Sequence, residues 1–187
     1  QKRTDNQKNQ NMAIDIAKFR AYLETIEVPA RFKLNYSSSD VALMLEETYM
    51  YYVKARKKQY DPSRSRENIL RAAKWITDDR RPGLLLYGTV GSGKTTLSDS
   101  LLKTILILNA KEKVYRRSAL AISTEAKDSP EGFKEIVRSK LLFIDDLGEE
   151  PAVVKNYGNE ISPIVELLYY RYDRQLFTVI TTNLTEQ

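Results

Sequence analysis

The stretch Leu84-Leu85-Leu86-Tyr87-Gly88-Thr89-Val90-Gly91-Ser92-Gly93-Lys94-Thr95-Thr96 decides the fold. A short apolar run reads as a buried strand, the glycines force a turn, and Thr95 to Ala110 reads as a helix. Gly88-x-x-x-x-Gly93-Lys94-Thr95 therefore sits directly after a strand and directly before a helix, the context in which such a loop binds phosphate. Its glycines let the backbone curl so that N–H groups point inward, and the helix adds the positive end of its dipole. Lys94 is expected to reach the β- and γ-phosphates of a bound nucleotide and the Thr95 hydroxyl to ligate Mg²⁺. Gly88, Thr89, Val90, Gly91, Ser92, Gly93, Lys94, Thr95 and Thr96 are the expected nucleotide-binding residues, and ATP with Mg²⁺ the expected cofactors.

Two more apolar runs end in polar residues. Leu141-Leu142-Phe143-Ile144 leads into Asp145-Asp146, as expected for a strand beside the phosphate loop whose tip meets a metal. Asp145 would hold Mg²⁺ through water, and Asp146 would orient the attacking water, because phosphoryl transfer is catalysed mainly by positioning and charge stabilisation. Phe177-Thr178-Val179-Ile180-Thr181-Thr182 ends at Asn183, which is placed to reach the γ-phosphate or the water; a turn-forming Asn is the plainer alternative. Val114 to Arg116 is a further candidate strand, and Glu131 to Ser139 and Ser162 to Arg174 are candidate helices. In the last of these, Ile164, Val165, Leu168 and Tyr172 are expected on one face. Strands alternating with helices imply an α/β fold, a parallel sheet with helices on both faces.

Upstream, residues 1–12 are rich in Gln, Asn and Lys and are expected to be a disordered tail. Residues 13–65 are expected to be a small helical region. Ile16, Phe19, Tyr22, Leu23 and Ile26 recur at helical spacing, Pro29 ends that element, and Ser37 to Asp40 caps a second helix through Val41 and Leu45. Ile69, Ala72, Ala73 and Ile76 mark a third helix within residues 66–187, the expected nucleotide-binding core.

Composition narrows the chemistry. The 187 residues are 42% hydrophobic, enough for a buried core. No apolar window is long enough for a membrane span and the start is polar, so a cytoplasmic protein with no membrane contact is expected. With no Cys and no His, catalysis has to run on carboxylates, Lys or a bound Mg²⁺. The net charge of +5 is concentrated between Lys54 and Arg81, where ten Lys and Arg face only Asp61, Glu67, Asp78 and Asp79. A solvated helix surface is the common reason for such a stretch, and contact with nucleic acid phosphates the alternative. Single-stranded DNA is expected to engage part of it together with Tyr115, Arg116 and Arg117.

Taken together, Leu142-Phe143-Ile144-Asp145-Asp146-Leu147-Gly148-Glu149-Glu150-Pro151, Tyr169-Tyr170-Arg171-Tyr172-Asp173-Arg174 and Thr181-Thr182-Asn183-Leu184 resemble the AAA+ ATPases. Within them the likeness is to the DnaC and IstB group of bacterial helicase loaders and transposition helper ATPases. In that family the loop is Walker A, Asp145 with Asp146 is Walker B, and Asn183 is sensor 1. The second acid is Asp here where many members carry Glu.

The resemblance implies a P-loop NTPase of AAA+ type, a helicase-loading ATPase with a replicative helicase or transposase as partner, and nucleotide-dependent homo-oligomers with ATP between subunits. It also implies an adenine pocket near Asn68 to Ile76, and an arginine finger, sensor 2 and helical lid beyond sensor 1, outside the sequence. The chain is then a core truncated after sensor 1, expected to bind ATP and to turn it over slowly. Arg171 and Arg174 read as surface charges, with contact to a neighbouring subunit as the alternative. The competing functions are a transposition helper ATPase, a nucleotide-gated interaction module with negligible hydrolysis, and a P-loop kinase of small molecules.

Overall fold

The computed structural model describes residues 15–26, 31–78, 80–109, 111–151, 153–156 and 159–184. The tail expected over 1–12 and the helix stop expected at Pro29 lie outside them. In chain order the elements are α1 (Ile16–Glu24), α2 (Ser38–Ala55), α3 (Pro62–Thr77), β1 (Gly83–Tyr87), α4 (Lys94–Leu108), β2 (Val114–Ser118), α5 (Ala119–Asp128), α6 (Pro130–Arg138), β3 (Leu141–Leu147), β4 (Val154–Asn156), β5 (Asn159–Ile161), α7 (Pro163–Asp173) and β6 (Phe177–Thr182). Among the described residues no helix is long and apolar enough to cross a membrane.

Helix starts follow local chemistry. The Ser37 hydroxyl accepts the Asp40 N–H at 3.1 Å to open α2, and Ser118 accepts the Ala121 N–H at 3.1 Å to open α5. Asp61 caps α3 by accepting the Ser63 N–H at 3.0 Å, with Pro62 in the first turn where its missing N–H costs nothing.

Four strands form one parallel sheet in the order β1-β6-β3-β2, and β4 and β5 form a separate antiparallel hairpin. The strand bearing Asp145 is thus not beside the loop strand as expected: β6 lies between them. The side-chain alternation of a strand splits the core into two halves. Leu141 and Phe143 of β3 and Phe177 and Val179 of β6 pack with α2, α3 and α4. Leu142 and Ile144 of β3 and Ile180 of β6 pack with α5, α6 and α7 on the other face. Burial on both faces explains why β3 and β6 are unbroken apolar runs in their first four residues or nearly so. At the edge, β1 leaves Leu85 and Tyr87 about half exposed.

One core crosses the boundary expected at residue 65. Leu34, Val41, Leu45 and Tyr49 are buried with Leu97, Leu101 and Ile105 of α4, so residues 31–55 form part of the layer that supports the phosphate loop. By contrast α1 buries nothing, and Ile16, Phe19, Tyr22, Leu23 and Ile26 are all 47–66% exposed.

Two expectations are corrected here. The buried face of α7 is Ile164, Leu167 and Arg171, while Val165 and Tyr172 are exposed. Arg171 is accordingly no surface charge: it is 1% exposed, and its guanidinium donates to the carbonyls of Val137, Ser139 and Phe177 and to the Thr178 hydroxyl. Arg174 is exposed and lies over the Tyr170 ring at 3.9 Å.

Candidate nucleotide site

Parallel strands place their carboxyl ends along one edge, and the expected site residues are distributed there. Tyr87, the last residue of β1, stands opposite Thr182 of β6, and Thr182 stands opposite Leu147 of β3. Gly88 therefore leaves β1, Asn183 leaves β6 and Asp145 and Asp146 end β3 at one level of the sheet.

The loop is built from its backbone. Gly88, Gly91 and Gly93 have φ of 139°, 83° and 93°, values that L side chains rarely adopt. The Leu97 N–H donates to the Gly93 carbonyl at 2.9 Å as the helical pattern begins, so the N–H groups of Lys94, Thr95 and Thr96 precede it and face the loop mouth. Lys94 Nζ donates to the carbonyls of Gly88 at 2.7 Å and Thr89 at 2.9 Å, which sets an ammonium inside the curl. Thr95 is exposed at the helix start. Thr96 is 6% exposed and its hydroxyl accepts from Arg56, so it offers the mouth its backbone N–H and not its side chain.

Gly93 has a second reason to be glycine. A Cβ there would overlap the hydroxyl of Tyr49, a largely buried residue of α2 that supports the loop from behind. Gly93→Ala is expected to cost about 1–2 kcal/mol from the left-handed backbone alone, and more from the overlap. Adding Tyr49→Phe should recover only the overlap. Urea unfolding of the two variants checks this, and equal stability of Gly93→Ala and wild type would remove the loop conformation described.

The acids owe their direction to a β-bulge. Between Ile144 and Leu147 the register of β3 against β6 slips by one residue, and Asp146 takes a φ of 55°. That backbone is unusual for a residue other than Gly, and such strain gathers at functional sites. The Asp146 N–H donates to the Thr181 hydroxyl at 3.0 Å, which fixes the bulge. On the next turn Gly148 has a φ of 100° and a Cβ there would press on Leu184, so the chain after β3 packs closely on the chain after β6. Asn183, between Thr182 and Leu184, is exposed toward this edge.

One partner of the site was not foreseen. Arg116 donates from Nε to Asp145 at 2.6 Å and from Nη1 to Asp99, and Asp99 also accepts from Arg56 at 3.0 Å. Burial works against the Arg116 charge, but the hydrogen bond and charge of Asp145, together with those of Asp99, outweigh it and raise its pKa above the usual arginine value. A chain of alternating charges thus runs from the end of α2 across α4 to the acid of β3. Tyr115, Arg116 and Arg117 lie within β2. Arg116 is engaged with two carboxylates and the Tyr115 hydroxyl with Glu135. The strand register accounts for the pair: Ser118 stands opposite Asp145 in the sheet, which puts Arg116, two residues earlier on the same face, beside the acid.

The donor set fits a Mg-nucleotide. Mg²⁺ takes few protein ligands and completes its shell with water and phosphate oxygens, so a threonine hydroxyl at a loop and one carboxylate across the edge are sufficient. No group of three or more acidic, His or Cys side chains that could form an all-protein cage occurs among the described residues. In the segment expected to border adenine, Ile69, Ala72, Ala73 and Ile76 are turned into the core, while Leu70 is exposed and Trp75 half-buried.

No family model and no curated protein matches the chain. Among solved structures it is similar to the DnaC helicase loader, at 23% identity and a TM-score of 0.44 over 82% of this chain and 74% of that one. DnaI shows 21% identity and a TM-score of 0.43 over 93% and 78%. AMPPCP-bound DnaA from Aquifex aeolicus shows 17% and 0.48 over 67% and 39%. The chain's own fold is a parallel α/β sheet with the loop after β1 and the acids and the asparagine at one edge.

Proposed function

We propose that the chain binds Mg-ATP on Gly88 to Thr96 and hydrolyses it, and that it acts as a loader of a replicative helicase onto DNA. The observation that carries the ATPase reading is the convergence of the loop, the bulged Asp145-Asp146 pair and Asn183 on one edge of the sheet. In this reading Mg²⁺, held by Thr95 and through water by Asp145, supplies charge stabilisation to the phosphates. Lys94 neutralises the β- and γ-oxygens. Asp146 orients the water and accepts its proton, and Asn183 holds the water or the γ-phosphate in line.

The loader role rests on the resemblance of the motifs and on α1. A helix whose four large apolar side chains, Ile16, Phe19, Tyr22 and Leu23, are all exposed is suited to dock on a protein partner such as a helicase, or a transposase in the alternative helper role. Residues 31–55, in contrast, are engaged in the core. Homo-oligomers that place ATP between subunits belong to the same proposal, with turnover rising on assembly.

Asp146→Asn is expected to keep Mg-ATP affinity and to slow turnover by on the order of 10²-fold or more, since it removes the base and preserves the shape. Steady-state phosphate release with parallel calorimetry tests it. Turnover within a few-fold of wild type would pass the water-positioning role to another acid such as Glu149. A second reading, a nucleotide-gated module with negligible hydrolysis, draws on the Arg116–Asp145 pair, because that arginine competes with the metal for the same carboxylate. Phosphate release indistinguishable from buffer at saturating Mg-ATP, in the oligomer as well as the monomer, would select it.

A further inference from the structure

The four parallel strands also share an amino edge, at the pole opposite the nucleotide loop, and every one of them is preceded by cations. Arg80 and Arg81 precede β1, Lys111 and Lys113 precede β2, Arg138 and Lys140 precede β3, and Arg174 precedes β6. Several are matched locally: Lys113 with Glu135 at 2.9 Å, Lys140 with Glu112, Arg80 with Asp78 at 2.5 Å. At the β1 corner the matching is partial, because Asp78 serves Arg80 alone among the groove's cations. A groove of about 400 Å³ is lined there by Arg71, Lys74, Trp75, Asp78, Arg80 and Arg81. Lys74 and Arg81 form no ion pair among the described residues. Arg71 reaches only Glu67, outside the groove, in a pair whose side chains are about three-quarters exposed and therefore weakly held.

Trp75 forms the aromatic wall. Its indole N–H donates to the Arg81 carbonyl at 3.0 Å and Arg31 lies over the ring at 4.3 Å, so the ring is held in place while its residue stays half-buried. Cations that precede strands and follow α3 would be expected at a helix carboxyl end on dipole grounds alone, and Lys74 alone would satisfy that. The dipole does not explain two further arginines around a fixed indole.

We propose that this groove is a binding site for single-stranded nucleic acid, admitting about one nucleotide with its phosphate against Lys74 and Arg81 and its base against Trp75. It gives the DNA contact of the proposed function a location away from β2, and rests on that reading only for the choice of ligand. The volume of about 400 Å³ suits one unstacked nucleotide, which favours a single strand over a duplex. An acidic peptide would use the cations and leave the indole without a role.

Trp75 is the single tryptophan of the sequence, so its emission reports the groove directly. Titrating the 187-residue chain with an oligothymidylate of about twelve residues should quench Trp75 saturably. The log of the affinity should fall against log salt with a slope of about −1.4, as the two cation–phosphate contacts of Lys74 and Arg81 on a single strand require. Lys74→Glu with Arg81→Glu should weaken binding by about tenfold or more, and the milder Lys74→Gln with Arg81→Gln by less. Lys94→Ala should leave the quench unchanged. Mg-ATP calorimetry on the Lys74 and Arg81 variants should match wild type, which separates this site from the nucleotide loop. Binding seen by anisotropy of a labelled strand without Trp75 quenching would overturn the groove while leaving a DNA contact elsewhere. No binding at low salt would overturn both. Equal quenching by polyglutamate, or by a duplex of the same length, would overturn the choice of ligand.

Discussion

Lys94→Ala should lower Mg-ATP affinity by about 10²- to 10⁴-fold. An ammonium hydrogen-bonded to ionised phosphate oxygens is worth about 1.5–3 kcal/mol per contact, and two such contacts are lost. The structure adds a second consequence. Lys94 Nζ also ties the carbonyls of Gly88 and Thr89, so alanine frees the curl it holds together. The two effects part on Lys94→Gln, which keeps a donor for the carbonyls and removes the charge. If charge compensation dominates, Gln should bind as poorly as Ala in calorimetry; if loop shape dominates, Gln should recover most of the affinity. Wild-type affinity in Lys94→Ala would remove Gly88 to Thr96 from the nucleotide site altogether.

What the sequence disclosed and what it hid follow a physical division. The loop was legible because its glycines are needed for backbone angles, and such needs are written locally: Gly88, Gly91 and Gly93 all have positive φ. The strands β3 and β6 were legible because burial on both faces leaves an apolar run. The order of strands was not, since nothing local states that β6 enters between β1 and β3. Helix α5 and the β4–β5 hairpin also escaped. Ala119–Asp128 carries only four buried residues, two of them alanines and one a serine, so its periodic signal is faint. The charge chain through Asp99 was hidden for another reason. Arg56, Asp99, Arg116 and Asp145 come from four elements, and a pairing of that kind appears only once the sheet and its covering helices are assembled. The rotated face of α7 has the most specific cause: Arg171 follows Ile164 by seven residues and Leu167 by four, on the buried face, but as an arginine it was counted with the solvent side.

Arg171→Ala should destabilise the fold by about 3–5 kcal/mol, the range for breaking a buried charged network. The guanidinium is 1% exposed and burial lowers its pKa to about 9, which still leaves it charged at neutral pH. Among the described residues no carboxylate is a hydrogen-bond partner of it. Its charge is met by carbonyls instead: Val137 at 3.0 Å, Ser139 at 2.7 Å and Phe177 at 2.6 Å, with the Thr178 hydroxyl at 2.8 Å. Val137 is in the last turn of α6, so the negative end of a helix dipole contributes. These groups join the end of α6, the turn into β3 and the start of β6, where Leu141 stands opposite Phe177. One side chain therefore sets the register of the two strands that carry Asp145 and Asn183. Alanine leaves several carbonyls buried without donors, and Arg171→Lys should recover only part of the loss, because an ammonium cannot span acceptors arranged for a planar fork. Arg174→Ala, at an exposed residue over Tyr170, should cost no more than about 1 kcal/mol. Urea unfolding midpoints with an unchanged m-value decide the matter. If Arg171→Ala kept the wild-type midpoint and altered self-association instead, the arginine would belong to a subunit contact, and the register of β3 and β6 would need another source.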